Sequence, residues 1–147
     1  ENKKLVAYRF GGYWKDVGTV DSLWEANMDL LDPQSGISLN DRGWKIFSED
    51  QTLPPHFVSE TGSVNHSLIN QGSTIDGTVK HSVVFANVDI EEGAEVTDSV
   101  LLAGVTVKKG AKLNRVIVME DLVLEAGSYG NPKSESVLLY NGNKEEK

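Results

Sequence analysis

The sequence has no cysteine. Disulfides, thiolate metal sites and thiol nucleophiles are therefore excluded, and a cytosolic protein fits. Positive charge is scarce: 14 Lys and Arg stand against 22 Asp and Glu, for a formal charge of −8. With no basic window, nucleic acid is a poor candidate partner, and so is a membrane surface read by polybasic contact. Long apolar runs are also missing, and none approaches the roughly 20 residues of a spanning helix. Aromatic residues make up only 7% of the chain. What is abundant is glycine, 14 residues in 147. This favours a turn-rich protein with small core residues over a helical bundle, with room for one ordinary domain or pieces of two. The opening "ENKKLVAYRF" has no initiator Met and no signal-peptide pattern. It reads as a start in mid-domain, and the chain as a fragment.

Residues 5–10, "LVAYRF", carry the β-branched and aromatic residues of a strand and end at Gly11-Gly12. The loop "YWKDVGT" (13–19) follows, with Asp16 in its middle. A helix cap explains an acid at the end of such a loop but not at its centre. The residues alone favour a turn role for Asp16, its carboxylate bonding nearby backbone N–H groups. Val20, Leu23, Trp24 and Leu31 then share one helical face. Ser22 with Glu25 offers a capping box, and Thr19 is a rival N-cap. Asp32-Pro33 stops the helix. This strand–loop–helix unit is too small to bury its own apolar face. Residues 33–57 are rich in turn residues and read as a connector that packs on a neighbour through Trp44 and Phe47.

From there the chain is periodic. "SVVFANVDIEEGAEVTD" (82–98), "SVLLAGVTVKKGAKLNR" (99–115) and "VIVMEDLVLEAGS" (116–128) align at a step of 17 residues. Ile90, Val107 and Leu124 form one column. Val88, Val105 and Leu122 form a second, Val79, Val96 and Leu113 a third, and Gly93, Gly110 and Gly127 a fourth. An earlier copy, "SLINQGSTIDGTVKH" (67–81), is two residues shorter. Aliphatics recur every five or six residues, as in Ile90, Val96, Leu102 and Val107. Three such steps per repeat define a hexapeptide-type parallel β-helix whose coils are triangles of short strands. About four coils are visible, and the hand is not contained in the periodicity. The expected division is 1–32 as the end of an α/β domain, 33–57 as connector, 58–130 as β-helix, and 131–147 as a final strand (136–140) and a disordered tail.

"GYWKDVGTVDSLWEANMDLL", a linker and hexapeptide coils together closely resemble the bacterial ADP-glucose pyrophosphorylase (glucose-1-phosphate adenylyltransferase) family over nearly the whole chain. The first stretch is specific to that family, whereas the coils are shared with many acyltransferases and sugar nucleotidyltransferases. The resemblance implies a mainly β chain: a left-handed parallel β-helix preceded by a strand–loop–helix remnant of a nucleotidyltransferase domain. It implies an enzyme that condenses ATP with glucose 1-phosphate to ADP-glucose and pyrophosphate for glycogen synthesis in the cytoplasm. It also implies a homotetramer, in some cases with a regulatory paralogue subunit, and a β-helix that serves assembly and allosteric control. Residue by residue, Asp16 matches a Mg²⁺-binding carboxylate of the catalytic site, and Trp14 and Asp16 match the glucose 1-phosphate site. The family's glycine-rich nucleotide loop, its other metal carboxylate and its sugar-binding Lys and Glu have no counterpart in this sequence. The fragment alone is therefore expected to be inactive and free of cofactor, and to self-associate through Trp14, Trp24 and the strand at 5–10.

Several features have plainer readings. His66 and His81 share a column with Asp98 and Arg115 and read as a solvated corner, since two ligands without a third rarely hold zinc. The acids of "DIEEG" and the lysines of "TVKKG" also read as solvated corners, and Gly93, Gly110 and Gly127 as corner glycines. Trp24 reads as a core residue. The alternative functions are a non-catalytic regulatory paralogue or a hexapeptide acyltransferase-like module. The second usually needs an inserted loop near a catalytic His, and the repeat shows no insertion.

Overall fold

The computed structural model describes residues 3–47 and 51–142. Helix α1 (Val20–Met28) continues as a 3₁₀ turn over Asp29–Leu31. The rest of the regular structure is strand, in rungs of three. The first rung is β1 (Phe57–Val58), β2 (Ser63–Asn65) and β3 (Leu68–Ile69). The second is β4 (Thr74–Ile75), β5 (Thr78–Lys80) and β6 (Val83–Val84). The third is β7 (Asp89–Ile90), β8 (Glu95–Thr97) and β9 (Val100–Leu101). The fourth is β10 (Thr106–Val107), β11 (Ala111–Asn114) and β12 (Val116–Val118), and the fifth β13 (Val123–Leu124), β14 (Gly127–Tyr129) and β15 (Leu138–Tyr140). Each strand pairs in parallel with its counterparts in adjacent rungs, giving three five-stranded sheets: β1-β4-β7-β10-β13, β2-β5-β8-β11-β14 and β3-β6-β9-β12-β15. The solenoid is thus one rung longer than the repeat alone displays.

Inside the prism the columns stack like on like. Ile75, Ile90, Val107 and Leu124 lie in register, as do Val79, Val96 and Leu113. All are buried, and each such side chain contributes about 1.5–3 kcal/mol by leaving water. On the third face the inward residue is Leu101, not Leu102. Buried serines line one corner. The Ser82 hydroxyl accepts from Ser99 N–H at 3.1 Å and donates to Lys80 O at 2.8 Å, and Ser99 repeats this one rung on with Val116 and Thr97. Backbone groups at the corner are thereby satisfied without water, as burial requires.

The three faces differ outside. On the first two, the inward aliphatics of the middle rungs are flanked by polar or small residues, as in "TI", "DI" and "TVK", although the end strands Phe57-Val58 and Val123-Leu124 of the first face are wholly apolar. On the third, both residues of a rung are apolar: Val83-Val84, Val100-Leu101 and Ile117-Val118. Their outward members Val83, Val100 and Ile117 form a second core with Met28, Leu31 and Val137, against which Val20, Trp24 and Leu102 pack. The third sheet is therefore buried on both sides, by the prism and by α1, which accounts for its unbroken apolar pairs.

Several expectations are corrected. Residues 5–10 form no strand, and Leu5 is 95% exposed. β-propensity does not hold a strand that lacks a neighbour. Thr19, not Ser22, is the N-cap: the Thr19 hydroxyl accepts from Ser22 N–H, and Ser22 returns the bond to Thr19 N–H, so Ser22 takes the place expected of Glu25. The buried face of α1 is Val20, Trp24, Met28 and Leu31, while Leu23 is 38% exposed. Trp44 and Phe47 do not pack on a neighbour, at 80% and 87% exposure. The repeat does carry an insertion: Val116 pairs with Leu138 instead of a residue near 133, and the extra chain forms the loop 130–137. The final strand is Leu138–Tyr140, as expected. The expected tail lies mostly outside the described residues.

Candidate active-site loop and the helix that carries it

Residues 13–17 run without regular structure, and exposure alternates over 13–16 before Val17 is exposed as well. Tyr13 and Lys15 are half-buried. Their bonds converge on one oxygen: Tyr13 Oη donates to Asp29 Oδ2 at 2.9 Å, and Lys15 Nζ donates to the same atom at 2.9 Å. Lys15 Nζ also lies 3.3 Å from Glu25 Oε2. The Lys15 hydrogen bond holds the Asp29 carboxyl below the usual carboxylate range, with Tyr13 helping and partial burial opposing. Asp29 in turn raises Lys15, and Tyr13 is raised first by burial and then by Asp29.

Trp14 and Asp16, the residues of the loop that carry the resemblance, are the exposed members of the alternation. Trp14 is 76% exposed. Asp16 makes no hydrogen bond or ion pair among the described residues. Asp32 and Asp41 show what turn acids do here. Asp32 accepts from Gln34 N–H at 2.8 Å, and Asp41 from Gly43 N–H at 2.7 Å. Asp16 does neither, so local turn chemistry does not account for it. The loop presents a free carboxylate beside an open aromatic face.

The helix beneath this loop is fastened to the solenoid at three points. Trp24 Nε1 donates to Asp98 O at 2.6 Å, with the Arg115 guanidinium 4.3 Å over the indole ring. His66 Nε2 lies 3.0 Å from Leu31 O. A carbonyl can only accept, so Nε2 carries the proton. Asp21 Oδ1 accepts from Val137 N–H at 2.9 Å, which draws the inserted loop 130–137 onto the first turn of α1. His81 completes the corner: it stacks on His66 at 5.3 Å, and its Nδ1 lies 2.6 Å from Asp98 Oδ1. The column His66, His81, Asp98 and Arg115 is thus a docking edge for α1 and not a solvated corner. All four residues have positive φ, 44° to 56°. Among the described residues, no group of three or more His, Cys, Asp or Glu is placed to hold a metal ion. Two lysines pair with acids across rungs, Lys108 with Glu91 at a corner at 2.6 Å and Lys112 with Glu95 between β11 and β8 at 2.8 Å.

The residues that hold the site, Asp29, Met28 and Val137, are ones the sequence reading passed over. Met28 and Val137 had a legible signal in the apolar pairs of the third face, which require a cover. Asp29 lies 16 and 14 residues from its partners, beyond any local motif.

Comparison with known proteins agrees with both parts of the chain. The GlmU-like, C-terminal hexapeptide family matches residues 53–130, and the nucleotidyl transferase family matches residues 1–33. The chain belongs to the GlmU-like C-terminal hexapeptide family, and its solenoid is the left-handed parallel β-helix of that class. It is 50% identical over 133 residues to the glucose-1-phosphate adenylyltransferases of Bacillus mycoides, Bacillus cereus and Bacillus anthracis. The alignment takes in 90% of this chain and 35% of each relative, so the chain spans about a third of their length. Among the described residues, no helix is long and apolar enough to cross a membrane.

Proposed function

We propose that this chain is the C-terminal part of a glucose-1-phosphate adenylyltransferase, which condenses ATP with glucose 1-phosphate to give ADP-glucose and pyrophosphate in the cytoplasm. The observation that carries this reading is the continuous similarity running from the Trp14–Asp16 loop through the solenoid. Residues 1–32 close the nucleotidyltransferase domain, 33–57 connect, 58–130 form the body of the β-helix, and 131–147 supply its last strand, β15, and end the chain. The β-helix serves assembly into a homotetramer and transmits effector binding.

Within that enzyme Asp16 contributes one carboxylate to a divalent cation, Mg²⁺. A free, outward carboxylate suits a hard cation that takes one or two protein carboxylates and fills its remaining positions with phosphate oxygens and water. The ion, when bound, neutralises charge on the phosphates during transfer. Trp14 offers its open face to the glucose 1-phosphate. A regulatory paralogue subunit has no use for such a carboxylate, so its retention beside Trp14 favours a catalytic origin.

The test is pyrophosphate release by the full-length protein that carries this sequence. Asp16→Asn is expected to lower turnover on the order of 100-fold or more while the assembled mass is unchanged. A variant that keeps full turnover excludes the metal role. The isolated 1–147 chain is expected to release no pyrophosphate, since it lacks the glycine-rich nucleotide loop.

A further inference from the structure

Residues 13–16 behave as a strand without a sheet. Half-buried Tyr13 and Lys15 alternate with exposed Trp14 and Asp16, and a slip of one residue would exchange the two sets. In a sheet, neighbouring strands fix that phase. Among the described residues, the side-chain hydrogen bonds of Tyr13 and Lys15 both end on Asp29 Oδ2. The second anchor of Lys15, Glu25, is longer and its side chain is 53% exposed. Asp29 itself opens the 3₁₀ turn at the end of α1, between buried Met28 and buried Leu31, so its backbone is fixed by the solenoid contact. Both donors are spent on it, and the intervening Trp14 and the following Asp16 are left exposed.

We propose that Asp29 is a positioning residue: by holding Tyr13 and Lys15 against α1, it sets the phase of the loop and so the direction in which Trp14 and Asp16 project. The proposal rests on the reading of Asp16 as a working carboxylate. Asp29 touches neither substrate nor ion. It acts through the backbone of the two residues that flank Trp14 and precede Asp16. The outer partners of metal-site residues are commonly worth 10- to 100-fold in affinity or activity.

The experiment compares full-length wild type, Asp29→Asn and Asp29→Ala, with Asp41→Asn as a control in the exposed connector. Two quantities are read: pyrophosphate release across a magnesium titration, and backbone hydrogen exchange of the peptides covering 11–19 and 20–31. Asp29→Asn is expected to raise the magnesium concentration at half-maximal rate by about 10-fold and to speed exchange over 11–19. Exchange over 20–31 and the solenoid should be unchanged, and Asp29→Ala should exceed Asp29→Asn in both effects. Unchanged exchange over 11–19 would overturn the clamp. Faster exchange with an unaltered magnesium dependence would overturn the positioning role. Exchange rising equally over 20–31 would show Asp29 to be merely a helix residue and overturn it as well. If wild type itself releases no pyrophosphate, the functional reading falls, and the exchange comparison still decides whether Asp29 holds the loop.

Discussion

At the scale of single residues, the two-residue deficit of the early repeat has a definite address. β4 and β5 are joined by Asp76-Gly77 alone, whereas the matching corner between β7 and β8 has Glu91 to Ala94. The short corner runs so close to the next rung that a Cβ on Gly77 would stand 2.6 Å from the carbonyl oxygens of both Ala94 and Glu91. Gly93 differs. Its φ is +81°, yet a Cβ there would meet only the Lys109 side chain, at 3.6 Å. Positive φ by itself is tolerated in these corners, as His66, His81 and Asn87 show. Gly77→Ala is therefore expected to cost about 2–4 kcal/mol, because backbone must shift, and Gly93→Ala about 1 kcal/mol. Urea denaturation of the two variants checks the order. The Tyr13–Lys15–Asp29 clamp has its own pH signature. Asp29 is lowered in the folded chain, so its contribution is complete above the ordinary carboxylate value of about 3.9 and is lost as pH falls through the lowered value. Lys15 is raised, so its contribution is complete below about 10.4 and is lost as pH rises through the raised value. The clamp should be level across neutral pH and open at both extremes. A ¹³C carboxyl titration of Asp29 with a midpoint inside the ordinary range would contradict this.

At the scale of elements, legibility followed locality. The coils could be read because each rung stacks on a copy of itself, so the same requirement recurs at a fixed step and writes a period into the sequence. The strand expected at 5–10 had the right composition, but pairing partners are not a local property, and none is present among the described residues. Helix α1 was readable as a helix but not as something docked on the solenoid. The local pattern points to Leu23 on its buried face, whereas the solenoid buries Met28. The contacts of Trp24 with Asp98 and Arg115 span more than 70 residues, and no motif announces them. The candidate site divides in the same way: Trp14 and Asp16 sit in a contiguous stretch that carries the resemblance, whereas Asp29 meets its partners only through the fold, 16 and 14 residues away. The docking makes a prediction at this scale. Trp24→Ala removes a hydrogen bond, the stacked guanidinium and part of the second core, for about 2–4 kcal/mol. That loss falls on the contact and not on the prism, so hydrogen exchange should rise over 20–31 while the inner strands stay protected. Loss of protection throughout would show that α1 and the solenoid unfold as one unit.

At the scale of the whole molecule, two kinds of surface coexist. The solenoid buries its inward aliphatics and carries cross-rung ion pairs outside. Residues 5–17 and 39–47 instead hold Leu5, Val6, Tyr8, Phe10, Trp14, Trp44 and Phe47 in the open. Apolar surface of that extent drives association. Trp24, expected to share in this, is engaged by the solenoid and drops out. The sedimentation mass of the 1–147 chain should rise with concentration above 16.1 kDa, and replacing Tyr8, Phe10 and Trp14 with Ser should suppress the rise. A monodisperse wild-type monomer at high concentration would count against this reading.

The stacking of rungs also fixes distance. Each turn of chain advances the axis by one strand spacing, about 4.8 Å, and returns to the same three faces. Changes of length inside a turn, such as the trimmed corner at Asp76-Gly77 or the loop at 130–137, leave that advance untouched. Gaining or losing a whole turn displaces everything beyond it by one step and returns it to the same three faces. The prism is therefore a graduated ruler. Whatever grips it at two heights, whether helix, domain or subunit, is held apart by a whole number of divisions.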